Sequence, residues 1–150
     1  KDAKVQPVPK PQADPTADSA PALRSAATVL ATTPRVRIQT PSLEGSLNLQ
    51  GARIDDLRLV RHTQDLRRNS PPIRLLSPAG APGAYFASFG WIGQGVQVPD
   101  ANTVWQASSR LLAPGKPVTL SWTNPTGQRF ELIVSVDEGY LFEVRQRVVN

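Results

Sequence analysis

The sequence has no cysteine, no methionine and one histidine, and its nine aromatic residues all lie between Tyr85 and Phe142. Without cysteine the chain cannot form disulfides or zinc–thiolate sites, and it cannot use thiol catalysis. Catalytic triads and histidine-based zinc sites need partners for His62 that this chain does not provide. We therefore predict no catalytic, metal or cofactor-binding residue, and we interpret His62 as a solvated histidine in a polar loop.

Long apolar runs and blocks of one charge are also missing. No stretch approaches the roughly 18 residues needed to span a bilayer, and the N-terminal mixture of Pro, Ala, Asp and Gln is not a signal peptide. The net charge is +5, which is compatible with an anionic membrane surface. Nucleic-acid binding is not predicted, because acidic residues interrupt the arginines between positions 53 and 74. A start at lysine without any methionine indicates a piece of a longer protein.

Proline divides the chain into two regions. Residues 1–34 contain six of the 15 prolines and neither glycine nor an aromatic residue. Such a composition cannot bury enough apolar surface to offset the loss of chain entropy, so we predict a disordered Pro/Ala-rich linker. Within it, Leu23, Ala26, Ala27 and Leu30 follow a helical period and predict one short helix over about 22–31. Residues 35–150 are predicted to be the folded domain.

The folded region alternates apolar and polar residues with a period of two. Val36 and Ile38 begin this pattern, it resumes around residues 47–49 and 54–59, and residues 73–76 and 85–92 continue the series. Many short strands with turn signals between them, and no alternation with helices, predict an all-β antiparallel sandwich.

The last third of the chain has the clearest pattern. Alternating residues before and after the turn at 124–127, and again after the turn at 137–139, predict a three-stranded antiparallel meander. Because alternate residues share one face of a strand, seven apolar side chains are predicted to form one buried layer. They are Leu120, Trp122, Phe130, Leu132, Val134, Phe142 and Val144.

Three further patterns in the sequence resemble parts of catalytic or binding sites. Asp55 and Asp56 are neighbours on a predicted strand and should point to opposite faces, and Asp137-Glu138-Gly139 is typical of a turn, so neither pair predicts a glycosidase. The glycines at 90, 93 and 95 lack the spacing and the following helix of a phosphate-binding loop. Tyr85, Trp91 and Trp105, together with Trp122, could stack on sugar rings, although aromatic residues at alternating strand positions are more often core.

Seven segments, in order along the chain, resemble the large periplasmic domain of the YidC-type bacterial membrane-protein insertases. They are TPSLEGSLNL at 40–49, GARIDDL at 51–57, SPPIRLLSP at 70–78, FGW at 89–91, NTVW at 102–105, LAPGKPVTLSW at 112–122 and DEGYLF at 137–142.

The resemblance implies a layout with an N-terminal transmembrane helix, a linker, a periplasmic β-supersandwich related to sugar mutarotases, and five further transmembrane helices. This chain then corresponds to the linker and the N-terminal half of the supersandwich, so the domain is expected to be incomplete. No insertase residue carries over, and no mutarotase catalytic pair has a counterpart around His62.

Two functions are therefore predicted for the chain. The first is a non-catalytic scaffold or docking domain on the periplasmic face of the inner membrane, which meets Sec translocon components and client membrane proteins. In this reading, contact with the membrane comes only through the missing flanking helices. The second is a carbohydrate-binding β-sandwich module whose binding surface is formed by Tyr85, Trp91 and Trp105.

Overall fold

A computed structural model describes residues 23–150, and the first 22 residues of the linker predicted for residues 1–34 lie outside them. The described part of the chain contains a short helix and nine strands. Their bounds are α1 Ala26–Leu30, β1 Arg35–Gln39, β2 Leu43–Asn48, β3 Arg53–Thr63, β4 Pro72–Leu76, β5 Gln106–Ala107, β6 Leu111–Leu112, β7 Val118–Thr123, β8 Arg129–Val136 and β9 Phe142–Val149. None of the helical structure within residues 23–150 is long and apolar enough to cross a membrane.

The strands form two sheets. The first has the order β4-β3-β2-β1-β6, and the second has the order β5-β7-β8-β9. Neighbouring strands are antiparallel except β1 and β6, which pair in parallel over two residues. The predicted all-β antiparallel sandwich is confirmed.

The core lies between the two sheets. The first sheet contributes Val36 and Ile38 from β1 and Leu47 from β2, whereas β7 and β8 of the second sheet contribute Leu120 and Leu132. All five side chains are at most 1% exposed. The period-two pattern therefore identified the inward faces of both sheets correctly.

The meander of β7, β8 and β9 is also as predicted. Leu120 lies opposite Leu132, Trp122 opposite Phe130, and Val134 opposite Val144. The predicted layer is only partly buried, because Trp122, Phe142 and Val144 are half-buried against the core. Trp122 lies near the end of β7, and Phe142 and Val144 lie on β9, the outer strand of this sheet among the described residues.

The predicted short helix exists, but it buries a different residue. Ser25 caps α1 by accepting a hydrogen bond from the Thr28 N–H at 3.3 Å. Val29 is buried, whereas Leu23, which the helical period placed on the packed face, is 68% exposed. A helix of five residues is too short for periodicity to determine its buried face.

Two other predictions need correction. Residues 85–92 do not form a strand; isolated bridges pair Tyr85 with Ser77 and Ala87 with Ile54. His62 is exposed, as predicted, but it lies in β3 and not in a loop. The polar residues of the second half of β3 mimicked a loop because that half is exposed to solvent on both faces.

Candidate binding surface

Two of the three predicted binding residues lie in an aromatic stack at the edge of the core. The ring centroids of Trp91 and Trp105 are 6.3 Å apart with planes inclined by 29°. Phe130 meets Trp91 edge-on at 5.1 Å, and Trp122 packs on Phe130 at 5.7 Å. Trp105 is only 3% exposed, so its ring contributes to packing and offers little surface to a ligand.

Tyr85 does not belong to this stack. Its side chain is 71% exposed, and its backbone N–H and C=O pair with those of Ser77 at 2.9 Å. The structure thus brings Trp91 and Trp105 together and places Tyr85 apart, on the solvent side of the irregular segment that connects β4 to β5.

Beside the stack lies a cleft of about 260 Å³ that sequence reasoning did not identify. Phe86, Phe89 and Trp91 supply its aromatic wall, and Arg53 and Asp100 supply charged groups. The Arg53 guanidinium lies 5.1 Å from the centroid of the Phe86 ring, within cation–π distance. One sequence signal pointed here, since four of the nine aromatic residues fall between positions 85 and 91.

The indole N–H of Trp91 is buried and has no hydrogen-bond partner among residues 23–150. Buried polar groups are paired in the great majority of native structures, so an unpaired donor at a cleft is unusual. The cleft itself combines aromatic faces with a cation and a carboxylate, a mixture typical of surfaces that bind other molecules.

The outer face of the first sheet carries a buried ionic network. Arg35 donates to Asp55 at 2.6 and 3.2 Å, and Arg74 donates to Asp56 at 2.7 Å. The Ser46 hydroxyl joins the two pairs, because it lies 3.2 Å from the Arg35 guanidinium and donates to Asp56 at 2.8 Å. Both carboxylates are less than 5% exposed.

This network corrects the prediction that Asp55 and Asp56 point to opposite faces. Ser46 pairs with Asp56 and Leu47 pairs with Ile54, so Asp55 is the extra residue of a β-bulge. The bulge interrupts the alternation, and both carboxylates lie on the face opposite the core. Each has an arginine partner, so neither is an unpaired acid placed for catalysis.

Gly45 makes room for the strand that carries the bulge. A Cβ atom at Gly45 would lie 1.9 Å from the carbonyl oxygen of Asp56. Any side chain at this position would therefore push β2 and β3 apart where the ionic network is anchored.

The described residues hold no recognisable catalytic or metal-binding constellation. Within residues 23–150 no group of three or more His, Asp or Glu residues is arranged to hold a metal ion. Asp137 accepts hydrogen bonds from the N–H groups of Gly139 and Leu141 at 2.9 and 3.0 Å, which is its predicted role in a turn.

The sequence matches a known protein family. A family model of the YidC periplasmic domain matches residues 35–150. The chain therefore belongs to the family of YidC periplasmic domains, and the resemblance of its seven segments is confirmed.

The individual relatives are membrane protein insertases. The chain is 48% identical to membrane protein insertase YidC of Zymomonas mobilis over 81% of this chain and 21% of that protein. It is 44% identical to membrane protein insertase YidC of Methylobacterium radiotolerans, over 95% of this chain and 23% of that protein. The corresponding protein of Acidiphilium cryptum is 49% identical over 78% of this chain and 20% of its own length. The chain thus spans about a fifth of the length of these relatives.

Proposed function

We propose that the chain is a non-catalytic docking domain of an inner-membrane insertase, exposed on the periplasmic face of the bacterial inner membrane. In this role it contacts client membrane proteins during their insertion and folding, alongside the Sec translocon or independently of it. Membership of the YidC periplasmic domain family supports the location. The name membrane protein insertase, carried by the relatives, supports the choice of clients.

The observation that carries the proposal is the segment of residues 77–105, which we call the connecting segment. This segment exposes three large apolar side chains to solvent. Ile92 is fully exposed, Tyr85 is 71% exposed and Val104 is 56% exposed. Loops fixed to a rigid sandwich commonly carry the residues that bind partners. The apolar segments of a nascent membrane protein could pack against these exposed apolar side chains.

Site-specific photocrosslinking tests this proposal. A photoreactive amino acid at Ile92 in the full insertase should crosslink a defined nascent membrane protein stalled on the ribosome. The control is the same amino acid at Leu66, which is also fully exposed but lies between β3 and β4. Equal crosslinking at both positions, or none at Ile92, would contradict client docking. Crosslinks from Ile92 to Sec subunits alone would assign the surface to the translocon.

Carbohydrate binding is the second candidate, and the cleft beside Trp91 is the observation that favours it. Its wall of Phe86, Phe89 and Trp91 offers apolar faces on which sugar rings stack, and Arg53 and Asp100 supply polar groups for sugar hydroxyls. In this reading Trp105 supports Trp91 from behind, and Tyr85 lies outside the cleft. Titration with oligosaccharides while tryptophan fluorescence is followed tests it, since a response that does not saturate would contradict specific binding.

A further inference from the structure

A second cavity lies on the outer face of the first sheet, beside α1. Its volume is about 180 Å³, and three arginines line it: Arg24, Arg35 and Arg53. The rest of the wall is largely polar and includes the side chains of Thr33, Asn48 and Asn102. A cavity lined by three arginines and one carboxylate is a candidate site for an anion.

The charges in the wall do not cancel. Asp55 is the only acidic residue among those that line the cavity. Arg35 occupies both of its carboxylate oxygens, and Asn48 donates to it at 3.4 Å. Within residues 23–150 neither Arg24 nor Arg53 forms an ion pair. Among the described residues, two arginines therefore line one small space without an ion-pair partner, and like charges close together favour a bound counter-charge.

Arg53 is held in place without being neutralised. Its guanidinium stacks on the Phe86 ring at 5.1 Å, a contact that restrains its orientation and leaves its N–H groups available. The Thr33 hydroxyl, also in the wall, is buried and has no hydrogen-bond partner among the described residues. Arg53 thus borders both this cavity and the aromatic cleft, and Thr33 adds an unsatisfied hydroxyl to the cavity wall.

From these contacts we infer that the cavity binds the phosphate oxyanion of a phosphomonoester or phosphodiester. Arginine pairs of N–H groups match phosphate oxygens in geometry and charge. The cavity is smaller than the roughly 300–1,000 Å³ of pockets that enclose whole cofactors, so it admits the phosphate group and leaves the remainder of the ligand outside. Two sources carry this chemistry: a soluble phosphate compound, and the headgroup of an anionic phospholipid.

The first arm of the test titrates inorganic phosphate against the purified chain, with chloride added to keep the ionic strength constant. Amide chemical shifts in NMR spectra report binding at the cavity. R53Q and R24Q should each weaken binding at least about tenfold, the usual cost of a lost hydrogen bond to a charged group. R68Q is the control. It removes an exposed arginine between β3 and β4 that does not line the cavity, so it should leave the affinity unchanged.

The second arm measures sedimentation of the chain with vesicles of phosphatidylglycerol and with vesicles of phosphatidylcholine. Binding to phosphatidylglycerol vesicles that R53Q and R24Q reduce, and R68Q does not, supports the site and assigns it to a lipid headgroup. Binding of inorganic phosphate without vesicle binding supports the site and assigns it to a soluble compound. The inference is overturned if neither ligand binds, or if R68Q weakens binding as much as the other two variants do.

In both arms, the midpoint of urea denaturation is measured for each variant to verify that the variant is folded. Should R53Q unfold, R24Q alone decides the result, because Arg24 is exposed and only its backbone N–H is used, in a bond to Gly80 at 3.0 Å. The cavity shares Pro78, Ala79, Ala101 and Asn102 with the connecting segment. The substitutions R24Q and R53Q lie outside that segment, so a failure of phosphate binding is distinguishable from a failure of client crosslinking at Ile92.

Discussion

Arg35 reaches from β1 across β2 to Asp55 of β3, and its two terminal nitrogens lie 2.6 and 3.2 Å from the two carboxylate oxygens. The side chains are 12% and 3% exposed, so the pair is shielded from water. A buried pair costs much to desolvate, and losing one partner leaves the other charge without compensation. Replacing either residue alone should therefore destabilise the domain strongly.

We expect Asp55→Ala to lower the free energy of unfolding by about 3–5 kcal/mol, because Arg35 would remain as an unpaired buried charge. Urea denaturation followed by circular dichroism measures the change. The matched control is Glu143→Ala, which breaks the exposed pair with Arg145 and should cost less than about 1 kcal/mol. Similar losses in the two variants would show that Asp55 is accessible to water.

Gly45→Ala should destabilise the domain by about 3 kcal/mol or more, because the new methyl group would lie 1.9 Å from the Asp56 carbonyl oxygen. Thermal and urea denaturation both report the loss. Gly90→Ala serves as the control, since a Cβ atom there meets nothing within 4 Å, and its effect should stay within about 0.5 kcal/mol. A neutral Gly45→Ala would mean that β2 and β3 do not approach each other as described.

Phe130→Ala should cost about 3–5 kcal/mol, the usual range for a buried aromatic residue replaced by alanine. Phe130 is 3% exposed and touches both Trp91 and Trp122, so the tryptophan emission spectrum should change as well. Tyr140→Ala, at a position that is 59% exposed, should change stability by less than about 0.5 kcal/mol. An unchanged emission spectrum in Phe130→Ala would argue against the aromatic stack.

Two N-terminal deletions should differ in stability. Removing residues 1–22 should leave the melting temperature unchanged, because their composition cannot support a core. Removing residues 1–34 should lower it by roughly 5 °C, since this deletion also removes buried Val29 and the Leu30 carbonyl that accepts from Arg35 at 3.0 Å. Identical melting temperatures would place the start of the stable domain at residue 35.

The sequence predicted those parts of the fold that depend on local alternation. Leu120, Leu132 and Val134 lie on the inward face because a period of two is a property of each strand alone. The bulge at Asp55 could not be predicted, since the position of an extra residue depends on the partner strand. The Trp91–Trp105 stack joins a loop to the core and therefore depends on the tertiary arrangement.

The candidate site was predictable only in part. The aromatic residues at 85–91 line the cleft in part, but no pattern indicated that Trp105 would be buried while Tyr85 stayed exposed. The arginines of the second cavity come from positions 24, 35 and 53, and only folding brings them into one wall.

The docking of α1 determines how the domain responds to a mechanical load. A pull on the chain ahead of Leu23 is first resisted by the Arg24–Gly80 hydrogen bond and the packing of Val29. It then reaches β1, which lies inside the first sheet between β2 and β6. Tension along an interior strand shears the ladders on both of its sides together, whereas an outer strand can be unzipped one bond at a time. Force that arrives from this end therefore loads β1, a strand with a partner on each side, and not an outer strand of the sheet.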